Sequence, residues 1–234
     1  AVMYPLICLL YLYLIAKEKI LSKNSALLMT GWALTIIPWF LIRWAVLKAP
    51  VGNAEFNLFK SLALNLAAII PYIGKLTLPF NMSVYPLLKD MPSFYGNITI
   101  ISLVIFLFAS KTKRLNFIAF GLFWFLLFLA PSFFQSTSSA ANFPDHRAYL
   151  SIIGFIFIFM EIDFVKNMAL NKKKHVTFAI LILLFFSTIT INHCGNFKDK
   201  LSFWKNAAQT SPSSAFNHNN LGAMYYLDNV LDKA

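Results

Sequence analysis

Seven apolar runs, separated by polar or helix-breaking residues, occupy about 2–16, 26–47, 59–80, 95–110, 115–134, 148–162 and 176–191. Each is of helical length, and 115–134 carries the roughly 20 uncharged residues that cross a bilayer as a helix. Backbone groups in hydrocarbon are satisfied within helices or closed barrels. The strict apolar–polar alternation of a barrel strand is missing from all seven runs. The pattern therefore predicts an all-α fold, a polytopic bundle of about six or seven transmembrane helices over 1–191. Past 191 the hydrophobicity drops, and 192–234 reads as a junction helix followed by a soluble helical unit.

Composition sharpens that division. The chain is 59% hydrophobic and 12% charged, against roughly 25% charged in a typical soluble domain. The net charge of +11 is not read as a nucleic-acid footprint, because the cations form short clusters between apolar runs. Lys17, Lys19 and Lys23 make one, Lys111, Lys113 and Arg114 a second, and Lys172, Lys173 and Lys174 a third. Such spacing follows the excess of cations in cytoplasmic loops, which places the loops at 43–58, 81–94 and 134–147 and the tail on the external side. Run 59–80 then has both ends outside. Pro71 and Gly74 near its middle are helix breakers. A broken or re-entrant element and a kinked single span both fit.

Cys8 and Cys194 show no CxxC or zinc-type spacing. His193 and His218 lack partners at metal-ligand spacing, so no metal and no cofactor is identified. A nucleotide phosphate loop is likewise not supported. The chain has no initiating Met and stops within a helical pattern, so it reads as cut at both ends.

The densest chemistry is Asn142-Phe143-Pro144-Asp145-His146-Arg147-Ala148-Tyr149, directly before an apolar run. Ions at a bilayer boundary are costly and call for a functional reason. An anionic, lipid-linked substrate supplies one. The Arg147 guanidinium suits bidentate phosphate binding, His146 adds a second donor, and Asp145 orients it. Tyr149 and, from the loop Ser83-Val84-Tyr85-Pro86, Tyr85 are supporting candidates, while Arg43 and Lys60 add positive field. The competing account of Arg147 is a snorkelling residue that sets helix depth.

In the tail, Asn217-His218-Asn219-Asn220-Leu221-Gly222-Ala223-Met224-Tyr225, with Pro212 before it and Ala234 after it, resembles the start of a tetratricopeptide repeat, with His218 at the position usually filled by Trp. The order of motifs extends the likeness. A loop with Leu78-Pro79, Ser83 and Tyr85, then Asp145-His146-Arg147-Ala148-Tyr149, two spans, and the Trp204 to Gly222 junction together resemble the C-terminal half of a family. That family is the membrane-bound, repeat-bearing protein O-mannosyltransferase-like group of the GT-C glycosyltransferase superfamily. The resemblance runs from about Trp39 to the end. It implies transfer of a sugar from a polyprenyl-phosphate donor to a protein or peptide acceptor, presented by the repeats on the external face of a membrane. It also implies a catalytic carboxylate in an N-terminal loop that these residues do not contain, and the acid often found beside the tyrosine of the Ser-x-x-Tyr loop is missing here. Two rival readings stand beside it: a non-enzymatic membrane anchor for repeats, and an O-antigen-ligase-like transferase or a transporter. A transporter places ionisable residues mid-span, and Lys75 is the notable candidate.

Overall fold

A computed structural model describes residues 3–19, 22–46, 58–134, 143, 145–168 and 172–230, the side chains of Leu58 and Lys60 excepted. Among these residues the fold is helical throughout, without a β-strand, and each of the seven apolar runs contains helix. The helices are α1 (Tyr4–Leu14), α2 (Lys23–Val46), α3 (Leu58–Asn65), α4 (Ile69–Thr77), α5 (Phe94–Ala109), α6 (Leu115–Leu129), α7 (Ser151–Phe159), α8 (Asp163–Lys166), α9 (Lys173–Cys194), α10 (Lys200–Thr210) and α11 (Ala215–Leu227). Among the described residues three segments are long and apolar enough to cross a membrane: Lys23–Val46, Leu115–Ser132 and Lys173–Phe197. The apolar helices Tyr4–Leu14, Ser61–Thr77 and Phe94–Ala109 are shorter, and α7 has 9 residues.

Run 59–80 does not fold back on itself. α3 passes through the 3₁₀ turn Leu66–Ala68 into α4, with Asn65, Ala68 and Ile69 all in the right-handed helical region. Pro71 falls in the first turn of α4, where a missing N–H costs nothing. Its effect is spent as one tightened turn rather than a reversal, so of the two forms that fit the sequence the single helical rod is found and the broken hairpin is not.

Glycines set the closest helix contacts. α4 meets α5 at Gly74 and Gly96, and α6 meets α7 at Gly121 and Gly154. Without side chains at these points the backbones touch, the usual device where lipid supplies no hydrophobic driving force between helices. Around them the buried core gathers Tyr72, Phe125, Leu129, Phe133, Phe143 and Phe155. α2 and α9 leave most of their apolar side chains exposed.

The bundle has two chemically distinct ends. At one, the loop after α5 meets the segment after α7. Glu161, 1% exposed, accepts hydrogen bonds from the Arg114 amide at 2.7 Å, from Arg114 Nη2 at 2.6 Å and from Lys166 Nζ at 2.7 Å. Asp163 accepts from the Lys111 amide at 2.7 Å and from the Thr112 hydroxyl. Asn116 Nδ2 donates to Leu14 O at 3.0 Å, bringing the end of α1, and with it Lys17 and Lys19, to the same place. The Phe164–Phe178 ring contact adds the first turns of α9, which begins at Lys173. The three cation clusters thus share one end, as their spacing predicts.

At the other end the loop between α4 and α5, Phe143 with residues 145–149, and the tail converge. α10 and α11 do not hang free. Val84 N donates to Asn206 Oδ1 at 3.0 Å, Leu87 N to Ser211 Oγ at 3.1 Å, Thr210 Oγ1 to Ser83 Oγ at 2.6 Å and Ser213 N to Asp90 Oδ2 at 2.9 Å. Both tail helices begin on side-chain caps, Asp199 accepting from Ser202 N and Ser214 from Asn217 N. α11 ends in a Schellman turn, with Val230 N bonded to Tyr225 O, Asn229 N to Tyr226 O and Asn229 at φ 57°. Ala234 and the second helix of the expected repeat lie outside the described residues.

Candidate functional site

The site is built by three elements that meet where α4 ends. In the last turn of α4, Lys75 is 9% exposed, and its Nζ donates to Asp145 Oδ1 at 2.7 Å. Asp145 opens a single 3₁₀ turn, Asp145–Ala148, whose position is fixed from both sides. Ala148 is buried in the core behind it. Ahead of it, Phe143 is fully buried, packs edge-on against Tyr72 at 6.3 Å, and donates its amide to Pro86 O at 3.1 Å. These anchors turn Asp145 toward α4 and leave His146 and Tyr149 on the outer side.

α9 supplies the facing wall. Phe186, Ile189, Thr190, His193, Cys194 and Phe197 recur at intervals of three and four residues, which is one face of a helix, and all line the same cavity. Phe80 holds α9 in place through a ring contact with Phe185 at 5.9 Å. The floor comes from Pro79, Met82, Ser83 and Val84, and the fourth side from Ile152. The cavity measures about 630 Å³, within the usual range for small-molecule sites of about 300–1,000 Å³. Lys75, Asp145, His146 and His193 bring ionisable groups to it, and His193 lies within electrostatic range of both Lys75 and Asp145. Other hollows along α2, between α5 and α7, and on α11 have no lysine, arginine or carboxylate in their walls. No group of three or more metal-ligating side chains occurs among the described residues.

The residues singled out in the sequence separate here. Asp145, His146 and Tyr149 line the cavity. Arg147 is half-buried on the same turn, close enough to the core phenol of Tyr72 for the two to interact electrostatically, and it is not one of the lining residues. Tyr85 stacks on Phe216 at 5.2 Å and contacts Trp204 at 6.0 Å, so it fastens the tail instead of facing the cavity. Arg43 lies over the Trp39 ring in the last turn of α2. The Lys60 side chain and the stretch 135–142 lie outside the described residues.

Two ionisable cavity residues, Lys75 and His193, carry no local signal in the sequence that places them there. Lys75 stands out as a charge inside an apolar run, but its partner is 70 positions away. His193 follows an apolar span with no neighbouring ligand, and only the helical register with Phe186, Ile189 and Thr190 points it at the cavity. Comparison with protein-family models, with curated proteins and with solved structures gave no match to this chain.

Proposed function

We propose that the chain is the membrane-embedded part of a GT-C-type glycosyltransferase, and that the Lys75–Asp145 cavity receives the headgroup of a polyprenyl-phosphate sugar. The observation that carries this reading is the cavity's composition. A buried lysine and two imidazoles sit at the end of apolar helices, beside walls of Phe186, Ile189 and Ile152. An amphiphile with an anionic head matches both halves. Departure of the sugar leaves charge on the phosphate, and fixed cations in a dry site stabilise that charge as it develops. Lys75 and His146 are assigned to the phosphate, with Arg147 contributing from behind the same turn and Asp145 and Tyr149 shaping the wall. The carboxylate that activates the acceptor belongs, on the resemblance, to an N-terminal loop outside these residues.

On this reading the cation clusters face the cytoplasm, and the cavity and tail face outward. The tail's attachment to the loop that floors the cavity would hold a peptide on the repeats near the donor. The same attachment favours a second reading, a non-enzymatic anchor for repeats, which leaves the cavity without a role.

The test is transfer of labelled sugar from polyprenyl phosphate to peptide by the full-length protein in membranes. His146→Ala and Arg147→Ala should each lower transfer about a hundredfold at unchanged expression. Transfer near the wild-type rate in both variants would remove the phosphate assignment. Peptide retention by the tail without any transfer would leave the anchor.

A further inference from the structure

The bundle holds two carboxylates against cations, and they are satisfied very differently. Glu161 receives four hydrogen bonds, from the Arg114 amide, Nε and Nη2 and from Lys166 Nζ. That is a finished structural clasp. Asp145 receives one, from Lys75, and its second oxygen is buried with no hydrogen-bond partner among the described residues. A buried carboxylate oxygen left without a donor forfeits the interaction that would offset its desolvation. Lys75 cannot release its partner to nothing, because an uncompensated buried cation is strongly unfavourable. It can exchange it. A phosphodiester offers two oxygens that share its charge, and a phosphate monoester three, in place of the one Asp145 oxygen that Lys75 now holds, and the imidazoles of His146 and His193 border the same space.

We infer that Asp145 is a displaceable counter-ion, occupying Lys75 until a phosphate headgroup enters the cavity and takes its place. The identity of the headgroup rests on the proposed function; the exchange rests on the unequal satisfaction of the two carboxylates. Asp145 thereby acts as a positioning residue that keeps the empty site neutral and sets a threshold for anion binding.

The experiment compares the full chain in a neutral detergent as wild type, D145N, K75Q and K75Q/D145N, titrated with dodecyl phosphate and, separately, with inorganic phosphate. D145N should bind dodecyl phosphate about tenfold or more tightly than wild type, since a competing internal ligand has been removed. K75Q and K75Q/D145N should bind at least about tenfold more weakly than wild type. If D145N is recovered folded only when dodecyl phosphate is present, that dependence is the same effect, and K75Q/D145N should then be recovered without it. D145N binding no more tightly than wild type, with K75Q impaired, overturns the exchange and leaves the phosphate site standing. K75Q binding as wild type does overturns the exchange as well. Absence of binding in all four proteins removes both the exchange and the phosphate reading. Preference for dodecyl over inorganic phosphate identifies a lipid-linked headgroup; equal affinity identifies a free phosphate.

Discussion

Gly121 and Gly154 meet backbone to backbone: a Cβ on Gly121 would lie 2.6 Å from Gly154 O, and one on Gly154 would lie 2.4 Å from Gly121 O. Their helices, α6 and α7, flank the segment that carries Asp145, so this crossing determines where that acid stands. The Gly74–Gly96 contact does the same for Lys75 through α4 and α5, a Cβ on Gly96 falling 1.9 Å from Ile70 O. The ion pair of the cavity thus depends on two glycine crossings within the bundle.

Alanine at Gly121 or Gly154 cannot be accommodated by a rotamer change, because the nearest obstructing atom at each is a backbone carbonyl oxygen. Either substitution should cost about 2–3 kcal/mol, the upper part of the range for overpacking, read as a lower melting temperature in detergent. Gly31→Ala is the internal control. Nothing lies within 4 Å of a Cβ there, and in mid-helix alanine is favoured by up to about 1 kcal/mol. Equal melting of Gly154→Ala and Gly31→Ala would refute the close crossing.

Glu161 gives a prediction with a definite pH dependence. Burial pushes its pKa up, but the hydrogen bonds from Arg114 and Lys166 outweigh burial and hold the carboxyl below its ordinary value of 4.5. A carboxyl depressed in the folded state contributes stability that is complete above its unfolded value and is lost as the pH falls through the folded one. Glu161→Gln should therefore melt lower than wild type at pH 7, and the gap should close below about pH 4.5. Arg114 is 58% exposed and can be resolvated by water, so the loss should be nearer about 2 kcal/mol than the roughly 3–5 kcal/mol of a sealed pair. A gap that persists unchanged at pH 3 would mean that the ionised carboxylate is not what the clasp uses.

These two sites show what the chain reveals in one dimension. The seven apolar runs and the cation clusters are local signals, and the helices and the shared cationic end follow from them. Pro71 was legible as a disturbance, but the sequence left a break and a single continuous helix equally open, because the cost of a proline depends on which turn of the helix it occupies. The Asp145-His146-Arg147 cluster was legible as chemistry, whereas the orientation of its members was not. Phe143 and Ala148 are buried by residues from other helices, and that burial turns His146 into the cavity and Arg147 out of its lining. Lys75, His193 and Glu161 owe their roles to partners roughly 50 to 120 positions away, beyond the reach of any spacing rule. Tyr85 reads as a supporting site residue because an aromatic in a polar loop is ambiguous until the tail that covers it is placed.

The two-ended arrangement can be tested with a native cysteine. Cys194 lines the cavity, and Cys8→Ser leaves it as the single thiol. In sealed vesicles an impermeant maleimide should label Cys194 from one face and, in a Cys8→Ser/Cys194→Ser background, a cysteine introduced by Lys111→Cys from the opposite face. Labelling of both from the same face would separate the cation clusters from the end to which they are assigned.

The attachment of the tail turns on Asn217. It is fully buried, and its Nδ2 donates to Tyr85 O at 3.1 Å and to Ala207 O at 3.0 Å, linking α11 at once to the loop and to α10. Asn217→Ala removes the donor to Tyr85 O and one of the two donors to Ala207 O, which keeps the Ser211 amide at 3.0 Å, and it opens a small void, a loss of about 1–2 kcal/mol. That loss falls on a docked element rather than on the bundle core, so the melting of the apolar helices should change little. Limited proteolysis should instead cut faster within 211–230, and amide exchange should rise at Val84 and Leu87, whose N–H groups are held by Asn206 and Ser211. Asp90→Ala, which removes the acceptor for Ser213 N, should act in the same direction but more weakly, since that bond is exposed. If proteolysis of both variants matched wild type, the tail would be held by the Tyr85–Trp204–Phe216 ring cluster and the bonds of Asn206, Thr210 and Ser211 to the loop, and Tyr85→Ala would then be the next substitution to test.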